Sequence, residues 1–127
     1  MNLTAEVEAY LTKAWHALEV AEKLRATGEF GDAAGKAYYA MFYAAQALLK
    51  AHGIEVVKHS AVASMLGRHF AKTGRLDAVF HRMFLNARQV RETADYGIFA
   101  GISEHTAQVT FEDSRAFIDE VQRQLRE

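Results

Sequence analysis

Between residues 88 and 96 the chain reads Arg88-Gln-Val-Arg91-Glu-Thr-Ala-Asp95-Tyr96, which gathers two guanidinium cations, carboxylates and a phenol in one short stretch. At about 100° per residue, Leu76, Val79, Phe80, Met83, Phe84, Ala87, Val90 and Ala94 share one apolar arc of a helix. Arg91 falls inside that arc, angularly between Phe80 and Phe84. A charge aimed at a packing surface needs a partner or a ligand, because an unpaired buried charge is strongly unfavourable. Asp95, one turn further on, suits Arg91 as an ion-pair partner sealed at a helix–helix contact. Alternatively, Arg91 lines a cleft and grips a phosphate with its planar fork. Asp95 then orients it, Arg88 lies on the same side, and Tyr96 offers a hydroxyl to a phosphate oxygen.

A second group lies upstream. Lys36, Tyr39, Tyr43, Gln46 and Lys50 recur at helical spacing, opposite a core face of Ala34, Tyr38, Met41, Phe42, Ala45, Leu48 and Leu49. Aromatics interleaved with lysines suit base stacking with phosphate contact. They equally suit a boundary stripe whose tyrosines bury their rings and keep their hydroxyls wet. His59, in Lys58-His59-Ser60, stands where a helix N-terminus is expected, and N–H groups there favour anions. It is either a local loop contact or part of a polar cleft.

Other motifs fail on spacing. Gly28-Glu-Phe-Gly31-Asp-Ala-Ala-Gly35-Lys36-Ala37 is close to a phosphate-binding P-loop, but Phe30 stands where the leading glycine belongs. No Ser or Thr follows the lysine, and no strand precedes it, so a glycine-punctuated turn between helices is expected. No acidic residue has histidine three positions later, as a di-iron bundle requires. The six histidines form no i, i+3 or i, i+4 pair, so no metal site is expected. Asp77 and His81 are four apart and read as a weak surface contact.

Five helices must position these residues. The first runs from Asn2, as N-cap, to Thr27, with Leu3, Val7, Tyr10, Leu11, Ala14, Trp15, Leu18, Ala21 and Leu24 as its stripe. The second starts after Gly31-Asp32, ends at Gly53, and is apolar around most of its circumference, as a central helix would be. A loop, residues 54–59, leads to Ser60, which caps a shorter third helix ending near Gly74. The fourth spans about Leu76 to Ala94. Gly97 and Gly101 bracket a loop, and Ser103 or Thr106 begins a last helix to Arg126, striped by Phe111, Ser114, Phe117, Ile118, Val121 and Leu125. Neither strand alternation nor a repeat interrupts this pattern. Short connections make neighbouring helices antiparallel, so the predicted fold is an all-α up-and-down bundle in a single domain, residues 1–127.

Composition narrows the class. Zero cysteines exclude disulfides, thiolate zinc sites and cysteine nucleophiles, and zero prolines permit long helices. No apolar run approaches the ~20 residues of a membrane span, and the N-terminus lacks a signal-peptide pattern, so a soluble cytoplasmic protein is expected. The net charge of −1 gives no global field for nucleic acid. Residues 29–75, however, hold six Lys/Arg against three Asp/Glu, and residues 102–127 hold three against six.

Taken together, Ala37-Tyr-Tyr-Ala-Met-Phe-Tyr-Ala-Ala-Gln-Ala-Leu-Leu49, Lys58-His59-Ser60 and Arg91-Glu-Thr-Ala-Asp95-Tyr96-Gly97 resemble a HEPN domain (higher eukaryotes and prokaryotes nucleotide-binding), in its small stand-alone prokaryotic branch. The segments span most of the chain in the expected order. The resemblance implies a helical bundle that dimerises around a polar cleft. Many members are RNases, often toxins, with histidine following an arginine after four to six residues; others bind nucleotides or partner a small nucleotidyltransferase. Here Tyr96 and Asp95 occupy the positions counted from Arg91 and Arg88, and no histidine falls in either window. Metal-free RNA cleavage needs a group that moves a proton near neutral pH. Histidine does this and an ordinary tyrosine, near ~10, does so poorly.

The leading expectation is therefore a cofactor-free homodimer whose cleft binds a nucleotide or RNA phosphate without strong catalysis. It would act with a nucleotidyltransferase-type partner in a toxin–antitoxin-like system. Its site residues would be Arg91, Asp95, Tyr96, Arg88, His59, Tyr39 and Tyr43. The alternatives are a metal-independent RNase whose acid/base is displaced, for example to His59, and a purely structural helical dimer.

Overall fold

The structure is a computed structural model that describes residues 3–98 and 101–127. Helix α1, Ala5–Ala26, opens on Thr4, whose hydroxyl accepts from the Val7 N–H; the expected cap Asn2 lies outside the described residues. A three-residue connection, 27–29, in which Gly28 adopts φ 83° and turns the chain, leads to α2, Phe30–Ala51. That start is earlier than the one expected after Gly31-Asp32. Glycines at 31 and 35 do not break the helix, and both face α4 across an ordinary van der Waals gap. A Cβ at Gly31 would meet Ala94 Cβ at 3.7 Å, and one at Gly35 would meet Arg91 Cγ at 3.9 Å.

Helix α2 is the axis of the bundle. Thirteen of its 22 residues are buried, and it packs on all four other helices. Contacting pairs fix the directions: Glu6–Lys50 and Lys13–Tyr43 run α1 antiparallel to α2. Gly31–Ala94 and Tyr38–Phe84 do the same for α2 and α4, Ala78–Tyr96. Arg126–Glu8 and Trp15–Gln122 set α1 against α5, Glu104–Arg126. The up-and-down all-α bundle is thus as expected. Tyr38, Phe84 and Phe117 form an aromatic chain through its centre, joining α2, α4 and α5 at ring separations of 5.6 and 5.8 Å.

The third segment departs most from expectation. Helix α3 covers only His59–Leu66 and passes into a single π turn, Gly67–Ala71. Ser60 is not its cap: Lys58 holds that position without a side-chain bond, and His59 is the first helical residue. His81 is not paired with Asp77 either. Asp77 caps α4 by accepting from the Val79 N–H, and His81 Nε2–H donates to the Ala63 carbonyl at 3.0 Å, tying α4 to α3. Helix α5 opens on Ser103, which accepts from Thr106 N–H, and its buried Ser114 donates to the Ala37 carbonyl at 2.8 Å. No helix among the described residues is long and apolar enough to cross a membrane.

Candidate functional site

Antiparallel packing of α4 on α2 lays the Arg88–Asp95 face over the glycine-lined half of α2. Arg91 reaches across the narrow gap, its Cγ beside Gly35, and Nη2–H donates to the Tyr39 hydroxyl at 3.0 Å. The guanidinium also sits 5.3 Å from the Tyr39 ring centroid. Its Nε lies 2.9 Å from Asp95 Oδ2, so the expected ion pair forms. The pair is not sealed, however. The Asp95 side chain is 45% exposed against 18% for Arg91, and the Nε–H is buried without a well-directed acceptor. Arg91 is therefore held by three weak-to-moderate contacts, and its Nη1 hydrogens have no protein partner among the described residues. Arg88 beside it pairs at 3.4 Å with Glu92, one turn on.

His59 joins this cluster through the loop after α2. Its ring stacks on Phe42 at 4.2 Å and 13° and meets Tyr39 edge-on at 5.6 Å, and its Nδ1 is hydrogen-bonded to the Tyr38 hydroxyl at 2.7 Å. Burial pushes the His59 imidazole below its ordinary value, and the charges of Arg91 and Arg88 push it the same way. Burial likewise raises the Tyr38 phenol, to about 12, against the opposing pull of the two arginines. Near neutrality the cluster therefore contains a neutral imidazole, a protonated phenol and two guanidinium cations, each cation paired with a half-exposed carboxylate, Asp95 or Glu92. An anion bound here would use the guanidinium and imidazole hydrogens that those carboxylates leave free.

The remaining expected residues divide. Tyr43 stands at the rim, 6.4 Å from the Tyr39 ring, with Lys13 Nζ 4.8 Å from its centroid. Of the rest of the α2 stripe, buried Gln46 donates to the Val56 carbonyl and Lys50 pairs with Glu6 and Glu55, while Lys36 is exposed one turn before Tyr39. A lysine–tyrosine platform along all of α2 is thus not available; Tyr39 and Tyr43 lie beside the cluster, with Lys36 on the same stripe. Tyr96, the last residue of α4, is 74% exposed and, among the described residues, has no side-chain hydrogen bond or ring contact. Five residues of helix, about 140°, turn it away from Arg91. Tyr38 and Phe42, which hold His59, are absent from the expected set. Periodicity marks them only as core, and no local signal ties residue 38 to residue 59.

Among the described residues no three of His, Asp and Glu gather where a metal ion could be held. A groove of about 430 Å³ between the start of α2 and the end of α4, including Gly31, Ala94 and Ile98, does not include Arg91 or His59 in its lining. The donor cluster thus lies outside it.

Known proteins of similar sequence place the chain. A UPF0332 protein of Gloeobacter violaceus is 33% identical over 91% of this chain and 93% of its own length. A protein of Methanocaldococcus jannaschii named as a candidate toxin is 32% identical over 94% of this chain and 82% of its own. A second one from that organism, similarly named, is 28% identical over 99% and 93%. The family model of the HEPN domain matches residues 7–124, and with it the chain belongs to the HEPN domain family.

Proposed function

We propose that this HEPN-domain protein binds the phosphate of a nucleotide or of RNA at the Arg91–His59 cluster, and that the binding face is completed by a second copy of the chain. One observation carries the reading. Arg91 Nη1 and His59 Nε2 are open donors on one aromatic-walled patch, each anchored from behind by a tyrosine, Tyr39 and Tyr38 respectively. A phosphate accepts from several donors at once, and a guanidinium fork with a neutral imidazole supplies them without a metal. Tyr39 and Tyr43 give a base or ribose an aromatic edge to rest on. Asp95 orients Arg91, Arg88 adds positive potential, and Tyr96 stands exposed at the rim, where a second subunit's site brings it into use.

Two relatives carry toxin names, which supports a toxin-like role. The resemblance to prokaryotic stand-alone HEPN proteins supports a nucleotidyltransferase-type partner encoded beside this chain and a cytoplasmic setting. Titration of purified protein with nucleoside monophosphates and a short single-stranded RNA tests the reading. Binding that weakens with added salt and is lost in Arg91→Ala is expected, and equal affinity of native protein and variant would remove the site.

A metal-independent RNase is the second reading, favoured by the placement of His59 in the same cluster as Arg91. Cleavage in the presence of a chelator is expected to be weak or absent. Robust cleavage that disappears in His59→Ala would make the protein an enzyme.

A further inference from the structure

The contact between Tyr38 and His59 decides what kind of group His59 is. Tyr38 is fully buried, and its hydroxyl has one hydrogen-bond partner among the described residues, His59 Nδ1 at 2.7 Å. A buried phenol keeps its proton and must donate it somewhere. Of the groups nearby, Arg88 and Arg91 offer donors only, and Tyr39 and Glu92, which could accept, make no hydrogen bond with this hydroxyl. Nδ1 is the acceptor left, and an imidazole that accepts at Nδ1 while neutral carries its own proton at Nε2. Among the described residues Nε2 has no hydrogen-bond partner, and Arg91 Nε is the sole buried side-chain nitrogen or oxygen left unpaired, so Nε2 opens to solvent. The stack on Phe42 and the edge contact with Tyr39 fix the plane of the ring.

We propose that Tyr38 is a positioning residue that locks His59 in the Nε2–H tautomer, so that His59 serves as a neutral hydrogen-bond donor to an oxyanion rather than as a base. Its use as a donor rests on the phosphate-binding reading above; its tautomer does not. The lock also bears on chemistry. A neutral Nε2–H ring has no lone pair at its open nitrogen, so it cannot take a proton there from an attacking hydroxyl. Tyr38 thereby turns the one histidine of the cluster away from general-base catalysis and toward binding.

The test is ¹⁵N NMR of protein labelled at its histidine rings, with His59 assigned by comparison with His59→Phe, which keeps the stack on Phe42. The native ring is expected in the Nε2–H form above its titration, with Nδ1 in the unprotonated range. Tyr38→Phe is expected to let the two tautomers mix while circular dichroism stays native. A native Nδ1–H ring, or shifts that do not change in a folded Tyr38→Phe variant, would overturn the assignment. Should that variant unfold, the native tautomer alone decides.

Added inorganic phosphate separates the two claims. Expected are a phosphate-dependent shift at Nε2, about tenfold weaker phosphate binding in His59→Phe, and about twofold weaker binding in Tyr38→Phe. The first figure reflects loss of one hydrogen bond, and the second the competent tautomer falling to roughly half of the population. An Nε2–H ring that ignores phosphate supports the role of Tyr38 and overturns the binding reading. An Nδ1–H ring that responds to phosphate does the reverse.

Discussion

Arg91 reports at the residue scale how far its contacts are structural. Were its pair with Asp95 sealed, removing the arginine would cost about 3–5 kcal/mol. Asp95 is nearly half exposed, so water screens the pair. What remains is a hydrogen bond to Tyr39 and a cation–π contact. Arg91→Ala is expected to lose about 1–2 kcal/mol of stability while abolishing phosphate binding, as melts run beside titrations will show. A melt collapse with no specific binding defect would return Arg91 to a purely structural role. His59 adds a pH signature. Its folded value lies below the unfolded value of about 6.5, so between the two the unfolded chain binds a proton that the folded chain refuses. Stability from neutral His59 is present above about pH 6.5 and is lost as pH falls through that window. Thermal melts should therefore decline from about pH 7 toward pH 5, and His59→Phe should flatten that decline. Glu8 and Glu120, whose hydrogen bonds with Arg126 and Arg123 hold them below the ordinary carboxylate range, act in a lower window. The conflict of Arg91 with its apolar arc was legible in the sequence, since it is a matter of helical angle. The company of His59 was not, because a loop carries it back to Tyr38 and no periodicity encodes that return.

Glycines separate what helices share from what they need at the scale of elements. Gly35 lies within α2 with room for a methyl group, which would meet Arg91 Cγ at an ordinary 3.9 Å. Gly35→Ala should thus stabilise the protein by about 0.5–1 kcal/mol through helix propensity alone. Gly67, at the junction of α3 and the π turn, is the opposite case. A Cβ there would stand 2.8 Å from His81 Cε1, so the ring must move off its bond to the Ala63 carbonyl. Gly67→Ala is expected to destabilise by about 1–3 kcal/mol. Urea unfolding of both variants checks the pair, and equal effects would show that the α3–α4 clamp does not depend on that close approach. The same two positions explain what the sequence conveyed. All five helices could be read from apolar periodicity, because each buries a stripe. Their boundaries shifted where glycine acts as a spacer rather than a stop, as at Gly31, and where the backbone changes pitch, as at Gly67. The reassignment of His81 from Asp77 to Ala63 is tertiary, and local spacing favoured the wrong partner.

For the whole molecule the open question is the second copy. The HEPN resemblance implies a dimer, and apolar surface left over on a helix would give it a physical reason; α2 supplies none, because the other four helices absorb its apolar circumference. Such surface remains on α4. Only Phe84 and Ala87 are fully buried there, Val79, Phe80, Met83 and Val90 are partly covered, and Leu85 is 41% exposed. Leu85 lies on the flank of α4 that also carries Arg88 and Glu92, and Tyr39 and Tyr43 on α2 keep part of their rings at the surface beside Arg91. Association through this side would cover half-exposed rings and bring two Arg91–His59 clusters toward one cleft, deepening a donor patch that is shallow in one chain. A net charge of −1 opposes such association only weakly. Sedimentation velocity at micromolar concentration is expected to show a dimer. Leu85→Lys should shift it toward monomer, with helicity intact and phosphate affinity reduced, because the cleft is lost while Arg91 and His59 remain. A native monomer would confine the site to a single chain, and a Leu85→Lys monomer that binds phosphate as tightly as native protein would show that the second copy contributes nothing to the site.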